Sequence, residues 1–225
     1  MVADLVIAID GPAGSGKSTV AKNAAVELGL NYLDTGAMYR AVAWYVIQQN
    51  VSPEDHTAVK ALLHNLNIDI NTTSKGINLV YCNNEEITER IRKPSVSKVV
   101  SQVAENSYVR EFLTDKQRKL GKKGAVIDGR DIGTRIFPDA DFKFFLTASF
   151  ETRVLRRWQE NINKGYNVKI ADVKREIRQR DALDKTRSLG PLKKAKDAIN
   201  IDSTYMTVDQ VTSKIVTYIK QNYCK

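Results

Sequence analysis

The chain has 225 residues, 42% hydrophobic and 27% charged, a composition that speaks against disorder and leaves room for one α/β domain with subdomains. A formal charge of +9 asks for an anionic partner, and a nucleotide, a nucleic acid or a membrane surface would each satisfy it. Cys82 and Cys224 stand far apart in no metal-ligand spacing, which argues against a disulfide framework and for a reducing cytoplasm, both being read as buried or incidental thiols.

The chain opens with the apolar run Leu5 to Ile9, too short for a signal sequence or a membrane span. Gly11-Pro12-Ala13-Gly14-Ser15-Gly16-Lys17-Ser18-Thr19 follows, leading into a helical pattern from Val20 to Leu28. Glycine, four residues, then Gly-Lys-Ser is the phosphate-loop spacing. The glycines let successive backbone N–H groups turn toward a polyphosphate, and the next helix presents its electropositive end. Lys17 then reaches the β- and γ-phosphates, and the Ser18 hydroxyl is placed to ligate Mg²⁺. The dinucleotide-binding fingerprint fails, because Gly11, Gly14 and Gly16 do not fall at its spacing.

Apolar runs at Asn31 to Leu33, Ala125 to Ile127, Phe142 to Leu146 and Ala198 to Ile201 alternate with helical patterns. With the first run they predict a parallel five-stranded sheet, buried on both faces by crossover helices. A helix is predicted over Ala37 to Gln49 after Asp34-Thr35-Gly36, with Met38, Ala41, Val42, Tyr45 and Val46 on its apolar face. Tyr39 and Arg40 fall near its start, where strand ends collect ligands in open α/β sheets. His56 and His64, on a polar helical stretch without a ligand cluster, read as solvated.

Between Leu66 and Thr88 the period becomes alternating, through Ile68 and Ile70, then Ile77, Leu79 and Tyr81, then Ile87, with turns at Ser74-Lys75-Gly76 and Asn83-Asn84. This predicts a three-stranded antiparallel meander inserted into the α/β frame, serving either a nucleotide-holding lobe or an oligomer contact. Two amphipathic helices follow Pro94, one marked by Val96, Val99, Val100 and Val103, the other by Val109, Phe112, Leu113 and Leu120. They carry Ser101 and Arg110. The next strand ends in Asp128-Gly129-Arg130-Asp131, which offers Asp128 as a carboxylate that orients the ligands of Mg²⁺ without binding it directly, and Arg130 as a phosphate clamp.

From Thr152 to Lys196 arginines and lysines outnumber the acids that can relieve them, and Lys164-Gly165 divides the stretch into two helices. That is the build of a lid over a triphosphate. The Arg180-Asp181-x-x-Asp184-x-x-Arg187 group suits a sugar hydroxyl beside a phosphate, and a Thr207-x-x-Gln210 capping box opens the last helix.

Several segments together resemble the bacterial cytidylate kinases over essentially the full chain: Ile9-Asp10-Gly11-Pro12, Leu33 to Arg40, Ser101-Gln102-Val103-Ala104, Asp128 to Thr134, Arg180-Asp181 and Asp202-Ser203-Thr204. The resemblance implies a single three-part nucleoside monophosphate kinase domain. Its core would be residues 1–34, 111–150 and 197–225, with a monophosphate-binding lobe at about 35–110 and a lid with its following helix at about 151–196. It implies Mg²⁺-dependent transfer from ATP, bound at Gly11 to Thr19, to CMP or dCMP. By matching position, the CMP site would comprise Thr35, Tyr39, Arg40, Ser101, Arg110, Arg130, Asp131, Arg180, Asp184 and Arg187. Arg40 and Arg130 would grip the acceptor phosphate, Ser101, Arg110 and Asp131 would face cytosine with Arg187 in support, and Arg180 and Asp184 would hold the ribose side. Arg153 and Arg157 in the lid would join Lys17 and Arg130 in contacting the transferring group. The implied protein is a cytoplasmic monomer that takes small-molecule nucleotides, with no membrane partner and no specific nucleic acid.

Two rivals remain at this point. A kinase of the same architecture acting on another acceptor fits the phosphate loop and lid but not the meander with Ser101 and Arg110. A nucleic-acid-binding module fits the +9 charge but lacks an aromatic stacking motif or a recognition helix.

Overall fold

A computed structural model describes residues 4–73, 77–122 and 124–223. Its strands are β1 (Val6–Asp10), β2 (Asn31–Asp34), β3 (Ile68–Thr72), β4 (Asn78–Cys82), β5 (Glu85–Glu86), β6 (Ala125–Gly129), β7 (Phe142–Thr147) and β8 (Ile199–Asp202). Its α-helices are α1 (Lys17–Leu28), α2 (Thr35–Gln48), α3 (His56–Leu63), α4 (Pro94–Glu105), α5 (Ser107–Gly121), α6 (Phe150–Asn163), α7 (Ile170–Thr186) and α8 (Val208–Tyr223). No helix among the described residues is long and apolar enough to cross a membrane.

The main sheet runs β2-β6-β1-β7-β8 with every pairing parallel, as the apolar runs predict. Successive residues of a strand point to opposite faces, so unbroken apolar runs need cover on both sides. Ala8, Leu33 and Ile127 pack among α2, α4 and α5 on one face, while Ile7, Ile9 and Val126 pack against α1 and α8 on the other. A third, smaller apolar cluster of Val154, Val173 and Ile177, with Phe150 and Trp158, joins α6 to α7 and gives these two helices a core of their own.

Two local expectations are corrected. Helix α2 begins at Thr35 rather than Ala37, because Asp34 caps it: the Ala37 N–H donates to Asp34 Oδ1 at 2.9 Å, so Thr35 and Gly36 form the first turn. The meander exists in the order β3-β4-β5, yet in β4 the buried set is Asn78, Val80 and Cys82, while Leu79 and Tyr81 are half-buried and Ile77 is 43% exposed. Asn83 and Asn84 both take positive φ, as a tight hairpin turn requires. The turn read at Ser74-Lys75-Gly76 and the residue Cys224 lie outside the described residues; Cys82 is buried and unpaired. His56 and His64 are exposed.

Asn78 explains the inverted face of β4. Its Nδ2 donates to Tyr32 O at 2.8 Å, and Asp34 N donates to its Oδ1 at 2.8 Å. One side chain therefore satisfies the two outward backbone groups of edge strand β2, as a neighbouring strand would. Thr72 Oγ1 adds a 3.1 Å bond to Tyr32 O, so the small sheet is fastened to the large one at the strand that leads into α2.

Replacing Asn78 by Ala strands a buried N–H and weakens the docking of the meander. The expected cost is about 1–3 kcal/mol, seen as a lower urea midpoint at unchanged slope. A midpoint equal to wild type would show that this docking does not depend on Asn78.

Candidate active site

The site begins where β1 ends. The chain turns at Gly11, where a Cβ would sit 2.1 Å from Leu146 O, and passes Gly14 at φ 75°, where a Cβ would meet Arg153 O at 2.7 Å. Only glycine fits both places. Arg153 Nη1 donates to Ala13 O at 3.0 Å and Arg156 Nη1 to Ser15 O at 3.3 Å, while Lys17 Nζ reaches Pro12 O at 3.2 Å. Helix α6 thus takes up carbonyls of the loop, and α1 starts directly at Lys17 with its unpaired N–H groups at the cleft.

Beside the loop, Ser18 Oγ donates to Asp128 Oδ2 at 2.7 Å, Tyr32 OH donates to Asp128 Oδ1 at 2.9 Å and Thr35 Oγ1 donates to Asp128 O at 2.7 Å. Burial, then the neighbouring carboxylate of Asp34, pushes Asp128 up to about 6. Burial alone would raise Asp34 too, but Arg92, 2.7 Å away, draws it below the usual carboxylate range.

A cleft of about 480 Å³ is lined by Ser18, Asp34, Thr35, Arg92 and Asp128 and by a second set of charged side chains. Arg130 Nε donates to Asp184 Oδ2 at 2.7 Å, and Arg187 Nη1 to Asp184 Oδ1 at 3.2 Å. Asp131, 4% exposed, is held by Arg110 Nη2 at 2.5 Å, with Arg187 Nη2 3.6 Å away. The turn carrying Arg130 and Asp131 is tied to β1 by Asp10, which accepts from Ile132 N at 2.9 Å and Gly133 N at 2.8 Å. Burial raises Asp10 to about 6 against those two bonds.

Among the described residues, eight cationic side chains line the cleft against six carboxylates. The imbalance shows in their chemistry. Burial, then Arg180, Arg157 and Arg92, lowers Arg40 to about 9, and burial followed by Arg130 lowers Lys17 to about 7. Arg180 and Arg187 are lowered by burial and by neighbouring arginines. Tyr39 OH, Arg157 Nε, Arg180 Nε and Arg187 Nη2 are buried without a hydrogen-bond partner in the protein. A dense anion with many acceptor oxygens is the ligand that relieves both conditions.

The structure gathers most of the residues singled out in the sequence. Ala13 to Thr19, Thr35, Tyr39, Arg40, Ser101, Asp128, Arg130, Asp131, Arg157, Arg180, Asp184 and Arg187 all line the one cleft. Gly11, Pro12, Arg110 and Arg153 do not. Arg110 lies behind the wall, 1% exposed, holding Asp131 with Tyr39's ring 5.4 Å away. Arg153 is buried in a two-bond pair with Asp181, at 3.0 and 2.7 Å, and faces the outside of the phosphate loop. Asp10, Tyr32, Asp34, Arg92, Arg156 and Glu176 received no role in the sequence reading. Arg92 and Arg156 are cleft residues of the right type, while Asp10 and Asp34 end hydrophobic strands as Asp128 does. Position at a strand end was the available signal for those two.

A family model described as Cytidylate kinase matches residues 7–221. A cytidylate kinase from Bacillus licheniformis is 48% identical over 216 residues, 96% of each chain. One from Carboxydothermus hydrogenoformans is 48% identical over 214 residues, covering 95% of this chain and 96% of that one. Among solved structures, an uncharacterized protein from Eubacterium ventriosum superposes with a TM-score of 0.48 at 17% identity, covering 97% of this chain and 99% of that one.

Lys17 generates a pH prediction. Burial and Arg130 hold it at about 7, so well above pH 7 a polyphosphate facing it should return a proton to the amine. Calorimetry of ATP binding at about pH 8, in buffers of different ionisation enthalpy, is expected to show uptake approaching one proton, shrinking toward zero below about pH 6. Lys17→Ala should abolish the uptake at pH 8. Equal uptake in the variant would move the proton to another group.

Proposed function

The chain belongs to the cytidylate kinase family, a family of nucleoside monophosphate kinases, and from that premise we propose that it transfers the γ-phosphoryl of ATP to CMP or dCMP. The observation that supports the reading in detail is that one cleft gathers Lys17, Ser18 and Asp128 together with Arg40, Arg130 and Arg187. We assign residues 1–34, 111–150 and 197–225 to the core, about 35–110 to the acceptor lobe and about 151–196 to the lid.

The donor triphosphate would lie along Gly11 to Thr19 with Lys17 at its far phosphates. The Ser18 hydroxyl bound to Asp128 fits a Mg²⁺ that arrives on the nucleotide and keeps most of its waters. Among the described residues no cluster of three or more His, Cys, Asp or Glu could hold an ion by itself. When bound, that ion supplies charge neutralisation at the β- and γ-phosphate oxygens. Ser18 would be its protein ligand, with Asp128 orienting the hydroxyl.

On the acceptor side, Arg40 and Arg130 would grip the monophosphate. Arg130 is oriented for this by Asp184, and Arg40 by Ser97 Oγ, which accepts from its Nη1 at 2.8 Å. Asp131 and Ser101 would read cytosine, with Arg110 acting through Asp131, and Arg180 and Asp184 would hold the ribose. Cytosine presents an amine beside two acceptors, so a carboxylate at the amine and donors at the acceptors complement it. Uracil would set a carbonyl against Asp131. Thr35 and Tyr39 complete the wall.

The acceptor needs no protein base. A phosphate monoester is largely dianionic at pH 7, so its oxygen attacks the γ-phosphoryl without giving up a proton to a side chain. Catalysis rests on in-line positioning and on Lys17, Arg130 and Arg157 neutralising charge on the transferring group. Arg153, paired to Asp181 and to Ala13 O, contributes by holding the phosphate loop. The lid keeps water from competing with the acceptor. The partners of this reading are small-molecule nucleotides, taken by a cytoplasmic monomer.

Two outcomes check this reading. Lys17→Ala should lower kcat by at least about 10²-fold while CMP binding stays measurable, and ATP hydrolysis as fast without any monophosphate as with CMP would mean an ATPase. Across CMP, dCMP, UMP, AMP and GMP the wild type should favour the cytidine acceptors. Asp131→Asn should cut the CMP-over-UMP ratio of kcat/KM by about tenfold or more, and an unchanged ratio removes Asp131 from base recognition.

A further inference from the structure

Tyr32 has no part in the mechanism above, yet its hydroxyl is one of two donors on the Asp128 carboxylate. It comes from the edge strand β2 and is 6% exposed among the apolar residues that pack against α1 and α8. Its backbone is equally fixed, since its carbonyl accepts from Asn78 Nδ2 at 2.8 Å and Thr72 Oγ1 at 3.1 Å. The ring therefore has one place to be, and the phenol ends 2.9 Å from Asp128 Oδ1.

The other carboxylate oxygen, Oδ2, receives Ser18 Oγ at 2.7 Å. A hydroxyl that donates its proton to Asp128 keeps its lone pairs for a cation on the opposite side, provided the carboxylate stays in that rotamer. Two influences pull it elsewhere. Asp34 is its neighbour in register across the β2–β6 ladder, a like charge in a buried place, and Lys17 lies near enough for its charge to act on Asp128. Without a donor on Oδ1, a buried carboxylate oxygen has no partner, and turning toward the lysine would take Oδ2 off Ser18.

We propose that Tyr32 is a positioning residue for the divalent cation: its hydroxyl locks Asp128 so that the Ser18 oxygen faces the metal carried by the donor nucleotide. This rests on the reading of Ser18 and Asp128 as the metal side of the donor site. Its scope is narrow, because Tyr32 touches neither the phosphate loop's backbone nor the acceptor residues by any hydrogen bond.

The test is titration calorimetry on the full chain, wild type against Tyr32→Phe, with three ligands: ATP in saturating Mg²⁺, ATP in excess EDTA, and CMP. In the wild type Mg²⁺ should tighten ATP binding. The variant is expected to lose about tenfold in affinity for the Mg²⁺-loaded nucleotide, while metal-free ATP and CMP bind within about twofold of wild type. In an Asp128→Asn background the same Tyr32→Phe change should add nothing. A variant that binds Mg²⁺-loaded ATP as wild type does overturns the proposal. So does a parallel loss for all three ligands, which marks a merely structural role. A wild type indifferent to Mg²⁺ overturns the underlying reading of Ser18 and Asp128, and the proposal with it.

Discussion

Crowding like charge into a buried cleft is the constraint that the rest of this structure answers. Lys17, Arg40, Arg130, Arg180 and Arg187 depress or oppose one another, and a chain that merely collected them would push its own walls apart. Carboxylates fix the guanidiniums in and around the cleft: Asp184 holds Arg130 and Arg187, Asp34 holds Arg92, and for the guanidiniums behind the cleft Asp131 holds Arg110 and Asp181 holds Arg153. Buried ion pairs of this kind contribute little net stability, because desolvation offsets most of the attraction. The folding free energy must come from the two apolar layers on the sheet. The pairs instead fix where each guanidinium points, so the cleft is preorganised for an anion that relaxes the strain on binding.

A second consequence concerns how the two halves of the cleft keep their spacing. In-line transfer tolerates little error, since a misplacement of about 1 Å costs orders of magnitude in rate. Asp10 sits at the last residue of β1, immediately before the phosphate loop, and holds the N–H groups of the turn that carries Arg130 and Asp131. The turn of Arg130 and Asp131 is therefore tied by two hydrogen bonds to the strand end from which the phosphate loop leaves. A carboxylate raised to about 6 by burial is an expensive device for a turn. Its placement, next to the phosphate loop in the chain and bonded to the turn of Arg130 and Asp131, accounts for the expense.

The sequence disclosed those features whose physics is local. The phosphate loop was legible because its conformation depends on neighbouring glycines, and the five strands because cover on both faces demands unbroken apolar runs. Asp10 and Tyr32 were not legible as site residues, since their partners lie 122 to 123 and 96 positions away and nothing near them in the chain announces a bond. Strand β4 was read on the wrong face for a related reason. Ile77, Leu79 and Tyr81 alternate as well as Asn78, Val80 and Cys82 do, and the choice was made by an asparagine standing in for a missing strand. Arg153 and Arg157 are one helical turn apart and chemically identical. Only the packing of α6 on the loop sends one to a carbonyl and leaves the other at the cleft.

Helix α6 meets the same constraint. Ser97 Oγ of α4 accepts from Arg40 of α2 at 2.8 Å and from Arg157 Nη2 of α6 at 3.5 Å, so two arginines from different helices share one oxygen. Burial, then Arg180 and Arg157, disfavour the charge on Arg40. The approach of α6 to this oxygen therefore gathers Arg40, Arg157 and Arg180 at one wall of the cleft, where their charges oppose one another. An anion lying among them would offset that repulsion and supply the acceptors that Arg157 Nε and Arg180 Nε lack within the protein.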